Sequence, residues 1–508
     1  MLRNNDYRAT LTVMVALALT TLTGFLREAT LAYQLGAGRS ADIFLVAFAV
    51  PEFVFVALPI ILLPAFIPLF ADCRLKLGET SAWRFGLRTA MALVGVLLLF
   101  TALAGLGAPL YVIWLAPSFT PSEHAQVVQA TNLILPSISL MGLGTLVGAA
   151  LQVYRRFART VLATALYNLV FMASLWIMPL VWPVGRAAWG VTLGAAAALA
   201  LQAPRLWRYR PDELHLSGTE QSAEFSVGHL ARLAGPLTAG YLVHHLILFV
   251  DRAMATTLGP GSAAVINYAY HLALVVGQLS GLAVATAIFP GLSEQIARGD
   301  TAGVRASLSQ ALRFVWITAL PATAGLIVLR TPVVKVLFER GAFDPAATAA
   351  VSAPLIWYAV SVLADSVCLV LWRVIYARRS AWIVVGINGL QTGVRLLGNL
   401  VFISRFGPTG LALSATVGLL VQMLVLGGYV WRSLGSYLNR IWWTEATCVI
   451  VATGLAAGVA SWLSTQLSAM SPEIVLGAAS TLGCSVYVAV LLVLKYLRSR
   501  SQHGIKSN

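Results

Sequence analysis

The residues able to do chemistry in this chain are few, and they sit where charge is costly. Arg27, Glu28, Glu52, Asp365 and Arg395 fall inside or at the margins of long apolar stretches, as do His244, His245 and His271. An ionised group in hydrocarbon is expensive enough to mark a pairing partner, a water-lined path or a substrate. A guanidinium such as Arg27 offers a planar fork that fits phosphate oxygens two at a time and stays charged when desolvated. Arg27 lies roughly 27 Å beyond Ala9 along a helix rising 1.5 Å per residue, in the outer part of a membrane. Snorkelling outward, an ion pair with Glu28 or Asp42, and contact with a substrate phosphate are all compatible with that depth. For Glu52, Asp365 and Arg395 the choice is between structural pairing and a role in coupling or gating. Histidine changes charge near neutral pH, so His244, His245 and His271 could carry coupling protons or serve as hydrogen-bonded packing residues.

What is missing narrows the chemistry further. The chain carries no Ser/His/Asp set, no nucleotide-binding glycine loop and no metal-ligand cluster, so neither an enzyme nor a cofactor is expected. Cys73, Cys368, Cys448 and Cys484 show no CxxC spacing and read as small packing residues.

These groups must be positioned by membrane helices. The 508 residues are 59% hydrophobic and 10% charged, far below the roughly 25% charge of soluble proteins. Apolar runs of about 20 residues recur throughout, each long enough to span hydrocarbon as a helix. Fourteen spans are expected, near 9–35, 41–71, 87–115, 125–152, 159–182, 187–206, 227–258, 262–292, 309–330, 350–376, 381–404, 408–431, 441–466 and 472–496. The run after Arg3 and Arg8 continues to Phe25 with no nearby cleavage signal, so the first helix is expected to be retained. Span two carries Pro51, Pro59, Pro64 and Pro68, which suggests a bent helix beside a cavity. Trp114, Trp182, Trp189, Trp442 and Trp443 stand near span ends, where indoles anchor at the interface.

A net charge of +15 would suggest nucleic acid in a soluble protein, but its distribution is topological. Of 34 Lys and Arg, 25 fall in alternate loops, 7 in the opposite set and 2 within spans. The positive-inside rule then places both termini in the cytoplasm of an inner membrane, with no nucleic-acid partner.

The chain also repeats itself. Leu35-Gly36-Ala37-Gly38 corresponds to Leu258-Gly259-Pro260-Gly261, and Pro68 to Pro290. Tyr154-Arg155-Arg156 corresponds to Tyr376-Ala377-Arg378-Arg379, and Gln202 to Gln422, all at an offset of about 220–225. Six spans per repeat keep both copies in one orientation, the parallel-repeat plan of rocking transporters. The expected architecture is therefore an all-α polytopic membrane protein. It comprises a six-helix repeat over 1–206, a cytoplasmic linker over 207–226 and a second repeat over 227–432. Two further helices and a basic tail over 433–508 would pack on its flank.

Gly24-Phe25-Leu26-Arg27-Glu28-Ala29, Leu35-Gly36-Ala37-Gly38 and Ala41-Asp42-Ile43-Phe44 together resemble the start of the MviN/MurJ family of lipid II flippases. That family lies within the multidrug/oligosaccharidyl-lipid/polysaccharide exporter superfamily. The resemblance continues through Asp251-Arg252, Leu258–Ser262, Leu337-Phe338-Glu339-Arg340-Gly341 and Ile375-Tyr376-Ala377-Arg378, covering about residues 10 to 435. It implies a cavity opening alternately to each side and an undecaprenyl-pyrophosphate glycan as cargo, with membrane lipids and proteins of cell-wall or exopolysaccharide synthesis as partners. Arg27, Asp42, Arg252 and His271 become the implied substrate-binding set. The chain departs from the family where further cavity arginines would fall, at Thr21, Phe55 and His271. Pro59-Ile60-Ile61 replaces the usual acidic-glycine turn. Lipid II and an exopolysaccharide or surface-glycan repeat unit are both compatible as cargo. Two other readings are a cation-coupled small-molecule antiporter on the same fold and a membrane polysaccharide polymerase or ligase.

Overall fold

The computed structural model describes residues 4–504 apart from 180–181, 213–222, 278–280, 282, 378–380 and 439. Half of the linker expected over 207–226 therefore lies outside the described residues. Every regular element among those described is helical, and they divide into two compact units, Met1–Ala264 and Val265–Asn508. Ten described stretches are long and apolar enough to cross a bilayer.

The first unit begins with α1 (Asn4–Leu35) and α2 (Arg39–Leu115). Spans two and three are one 77-residue element, α2, merged across a kink at Gly78. There φ is +84°, a conformation that costs a residue with a Cβ far more than glycine. Pro51, Pro59, Pro64 and Pro68 all stay inside α2. Next come α3 (Pro121–Ile134), α4 (Pro136–Val153), α5 (Phe157–Ile177) and α6 (Pro183–Trp207). A capping box starts α3: Thr120 accepts from the Glu123 amide while Glu123 accepts from the Thr120 amide. The core of this unit stacks Phe66 on Phe70 and Phe85, with Cys73 buried beside them. The unit closes with α7 (Val227–His245) and α8 (Ile247–Thr256), both packed on α2. The sequence repeat restarts at 227, yet these two helices group with the first unit.

At the unit boundary begins α9 (Ser262–Gly277), followed by α10 (Ala283–Ala297), α11 (Thr301–Val328) and α12 (Arg330–Phe338). Asp300 caps α11 by accepting from the Gly303 amide at 2.8 Å. Then come α13 (Pro345–Ala377), α14 (Ala381–Phe406), α15 (Pro408–Leu434), α16 (Arg440–Gln466) and α17 (Pro472–Gly504). The last two helices dock on α11, where Arg313 grips both carboxylate oxygens of Glu445 and the Tyr487 hydroxyl donates to the Ile317 carbonyl at 2.8 Å. Trp442, read from the sequence as an interfacial anchor, is instead buried edge-on against Trp316, because α16 turns it toward α11. Trp114 and Trp443 are exposed, as anchors require.

α14 is not among the ten apolar stretches. Asn388, Gln391, Arg395 and Asn399 recur every three or four residues and so share one helical face. Gln391 and Asn399 are buried, and Gln422 of α15 donates to Asn388 at 2.8 Å. Hydropathy alone under-reads a helix whose polar face is met by its neighbour.

Single cysteines at Ser118 and Ser468, in a background lacking the exposed Cys484, are expected to react with an impermeant thiol reagent from outside the cell. Cysteines at Ser81 and Ser307 are expected to be protected. Reversed labelling would invert the orientation, and a mixed pattern would break the count of fourteen.

Candidate functional site

The first unit gathers most of the charges singled out in the sequence. Near the end of α1, Arg27 donates through Nη2 to Glu28 at 2.6 Å. Its guanidinium lies 6.0 and 5.9 Å from the ring centres of Tyr167 and Phe171 on α5, within reach of a cation–π attraction. One turn earlier, Asn168 of α5 donates to the Thr23 hydroxyl at 3.2 Å, fixing α1 against the same face. Arg27 forms the ion pair with Glu28. It leaves the guanidinium partly accessible, at 23% exposure against 8% for Glu28.

Asp42 is not paired with Arg27. It is fully buried in the first turn of α2 and accepts from the amides of Gly261 at 2.6 Å and Ala264 at 2.9 Å. Backbone donors at a helix start hold the carboxylate, with Arg39 within coulombic range. Gly261 can take this position because it has φ of +86° and no Cβ; an added Cβ would stand 2.0 Å from the Ala37 carbonyl oxygen.

Glu52, mid-way along the first apolar stretch of α2, is paired with Arg252 of α8 at 3.2 Å. The same Arg252 nitrogen donates to the Leu45 carbonyl at 2.6 Å. Glu52 also lies within coulombic range of Arg27. The Tyr241 hydroxyl of α7 donates to the Phe53 carbonyl at 2.8 Å, and the His245 ring stacks on Tyr241 at 3.9 Å. The structure therefore brings together Arg27, Glu28, Glu52, Arg252 and their aromatic neighbours on α1, α2, α5, α7 and α8. The side chain of His244 lies outside the described residues.

The remaining candidates belong to the second unit and are described within it. His271 on α9 meets Tyr270 edge-on at 5.8 Å. Asp365 is on α13, one turn before the buried Cys368, and Arg395 packs on α14 opposite Gly418 of α15. Sequence reasoning missed Tyr167, Tyr241 and the Gly261 amide. Tyrosines in apolar stretches carry no positional signal, although two glycines flanking Pro260 could have flagged an unusual backbone there.

In chemical terms, the site holds the guanidinium groups of Arg27 and Arg252, each paired with a carboxylate. An Arg has five N–H donors, more than one carboxylate can saturate. An incoming phosphate could therefore bind the same forks by exchanging with Glu28 and Glu52. Among the described residues no group of three or more His, Cys, Asp or Glu could hold a metal.

Known proteins resemble the chain over nearly its whole length. The family described as lipid II flippase MurJ matches residues 31–477. "Lipid II flippase MurJ" of Burkholderia cenocepacia is 28% identical over 467 residues, 90% of each chain. "Probable lipid II flippase MurJ" of Rhizobium meliloti is 28% identical over 468 residues, covering 89% of this chain and 86% of the relative. A solved structure of a lipid II flippase MurJ in its inward closed conformation superposes with a TM-score of 0.78. It is 16% identical and covers 97% of this chain and 99% of its own. An inward-facing multidrug MATE transporter matches at TM-score 0.64 and 13% identity, over 84% of this chain and 98% of its own.

Proposed function

Because the chain belongs to the lipid II flippase MurJ family, we propose that it carries an undecaprenyl-pyrophosphate-linked glycan precursor across the inner membrane. The direction is from the cytoplasmic to the periplasmic leaflet, by alternating access and without catalysing a reaction. The observation that supports this reading is the pair of arginines, Arg27 on α1 and Arg252 on α8, each held on a carboxylate that a pyrophosphate can displace. Charge exchange of this kind keeps both guanidiniums neutralised whether or not cargo is bound, which limits the desolvation penalty.

Arg252 also bears on the departure at Phe55, where the family resemblance expects an arginine on α2. Phe55 here stacks edge-on against Phe48 at 5.8 Å. The guanidinium of Arg252 reaches α2 from α8 instead, at Glu52, one helical turn before Phe55. Thus a cation is supplied to that stretch of α2 by a different helix. We infer that Arg27 and Arg252 contact the pyrophosphate, and that Asp42 holds the 261–264 segment in place. His271 would contact the glycan-phosphate head, with Glu28, Glu52, His245, Asp365 and Arg395 tuning coupling.

Lipid II is the cargo named for the relatives and is the first reading. Replacement of the expected arginines by Thr21, Phe55 and His271 favours a second, an exopolysaccharide or surface-glycan repeat unit. Expression in cells depleted of their own lipid II flippase separates the two. Rescue of growth is expected for lipid II. Failure at normal membrane levels, with loss of a surface polysaccharide when the native gene is deleted, would move the assignment to the second cargo.

A further inference from the structure

Away from those arginines, the first unit contains a second feature suited to a lipid. A crevice of about 430 Å³ opens between α2 on both sides of the Gly78 kink, α4 and α6. Its wall is almost entirely apolar, including Phe66, Met91, Leu146 and Leu199, with Trp83 and Trp207 also lining it. Around those two indoles an aromatic and basic rim is assembled from three segments. Trp83 packs edge-on against Trp207 and donates to the Tyr154 hydroxyl at 3.0 Å, and Tyr154 in turn donates to Glu79. Tyr154 stacks on Tyr209 at 4.3 Å, and Arg74 lies 4.6 Å over the Tyr154 ring. Arg156 donates to the Tyr209 hydroxyl at 2.9 Å, which draws that phenol below its ordinary titration range. Arg210 covers Trp207 at 4.8 Å, and the buried Nε of Arg205 has no hydrogen-bond partner among the described residues.

The charge of the rim is one-sided. Residues 72–88, 154–159 and 205–212 carry ten Lys or Arg against three Asp or Glu. A dry slot with a basic, aromatic mouth at a membrane edge matches an amphiphile with one anionic head and an apolar tail. Cavities of a few hundred Å³ enclose ligands of modest size, which suits one acyl chain and not a long polyprenyl chain.

We propose that this crevice binds an anionic glycerophospholipid of the cytoplasmic leaflet, its phosphate on Arg205 and Arg210 and one acyl chain between α2, α4 and α6. The site is separate from the Arg27 and Arg252 pairs and goes beyond the transport reading. Occupancy would brace the kinked α2 against α6.

The test uses the full chain in phosphatidylcholine nanodiscs containing phosphatidylglycerol with a photoreactive group in its acyl chain. Labelling is expected on the peptides carrying Met91, Leu146 and Leu199, competed by unlabelled phosphatidylglycerol and not by phosphatidylcholine. Arg205→Gln with Arg210→Gln should lower it about 10- to 30-fold, from roughly one surface-charge interaction per arginine. Ala203→Trp should abolish it by filling the slot. Raising salt should weaken labelling of the unaltered protein, a readout that needs no variant to fold. Equal labelling by the phosphatidylcholine analogue, indifference to salt, or competition by undecaprenyl pyrophosphate alone would each overturn the assignment. None of these measurements involves transport, so they stand whichever way the cargo experiment falls.

Discussion

Arg27→Ala is expected to reduce flipping of the lipid-linked cargo to near background while the protein still inserts. The guanidinium supplies charge-assisted hydrogen bonds to an anion in a medium that screens poorly. Losing one such partner costs on the order of 1.5–3 kcal/mol, roughly 10- to 150-fold in binding. The variant also leaves Glu28, 8% exposed, without its ion-pair partner. Removing one member of such a pair is more damaging than removing both. Arg27→Ala with Glu28→Gln should therefore recover membrane abundance without recovering transport, which separates loss of cargo contact from loss of structure. Arg27→Lys should recover only part, because a point charge replaces the bidentate fork. Flipping in proteoliposomes at matched protein levels is the measurement. Normal transport by Arg27→Ala would place the phosphate contact elsewhere.

Gly261→Ala is expected to be the most destabilising single-methyl change in the first unit. The new Cβ would meet the Ala37 carbonyl oxygen at 2.0 Å, and a backbone oxygen cannot swing aside as a side-chain tip can. The residue would also have to keep φ of +86°, where glycine alone is at ease. Overpacking of this kind costs about 1–3 kcal/mol and the backbone strain about 1–2 kcal/mol more. Any relief by movement withdraws the Gly261 and Ala264 amides from Asp42 and leaves a buried carboxylate without donors. Gly259→Ala is the control. It shares a positive φ, but nothing lies within 4 Å of its Cβ, so only the strain remains. Thermal unfolding in detergent should rank Gly261→Ala well below Gly259→Ala, and equal midpoints would refute the close-approach argument. Asp42→Ala should fall with Gly261→Ala, since both open the same contact.

Composition and spacing already determined that this chain is a helical membrane protein. Hydrocarbon satisfies no backbone group, so apolar runs of span length have essentially one solution. The same economy made Arg27, Glu52 and Arg395 conspicuous before any coordinates, because a charge in a span is rare enough to be seen alone, whereas Arg252 was named only by the family resemblance. Which charge meets which could not be read that way. Glu52 and Arg252 are 200 residues apart, and Asp42 and Gly261 are 219 apart. Those pairings arise only when α8 and the 257–264 segment are laid along α2. The grouping of α7 and α8 with the first unit, against the phase of the sequence repeat, is a matter of packing on α2. So are the burial of Trp442 and the polar seam of α14, where a neighbouring helix supplies what the local sequence lacks. A helix is written in local periodicity, whereas the partner of a buried charge is whichever group the folded chain brings within about 3 Å.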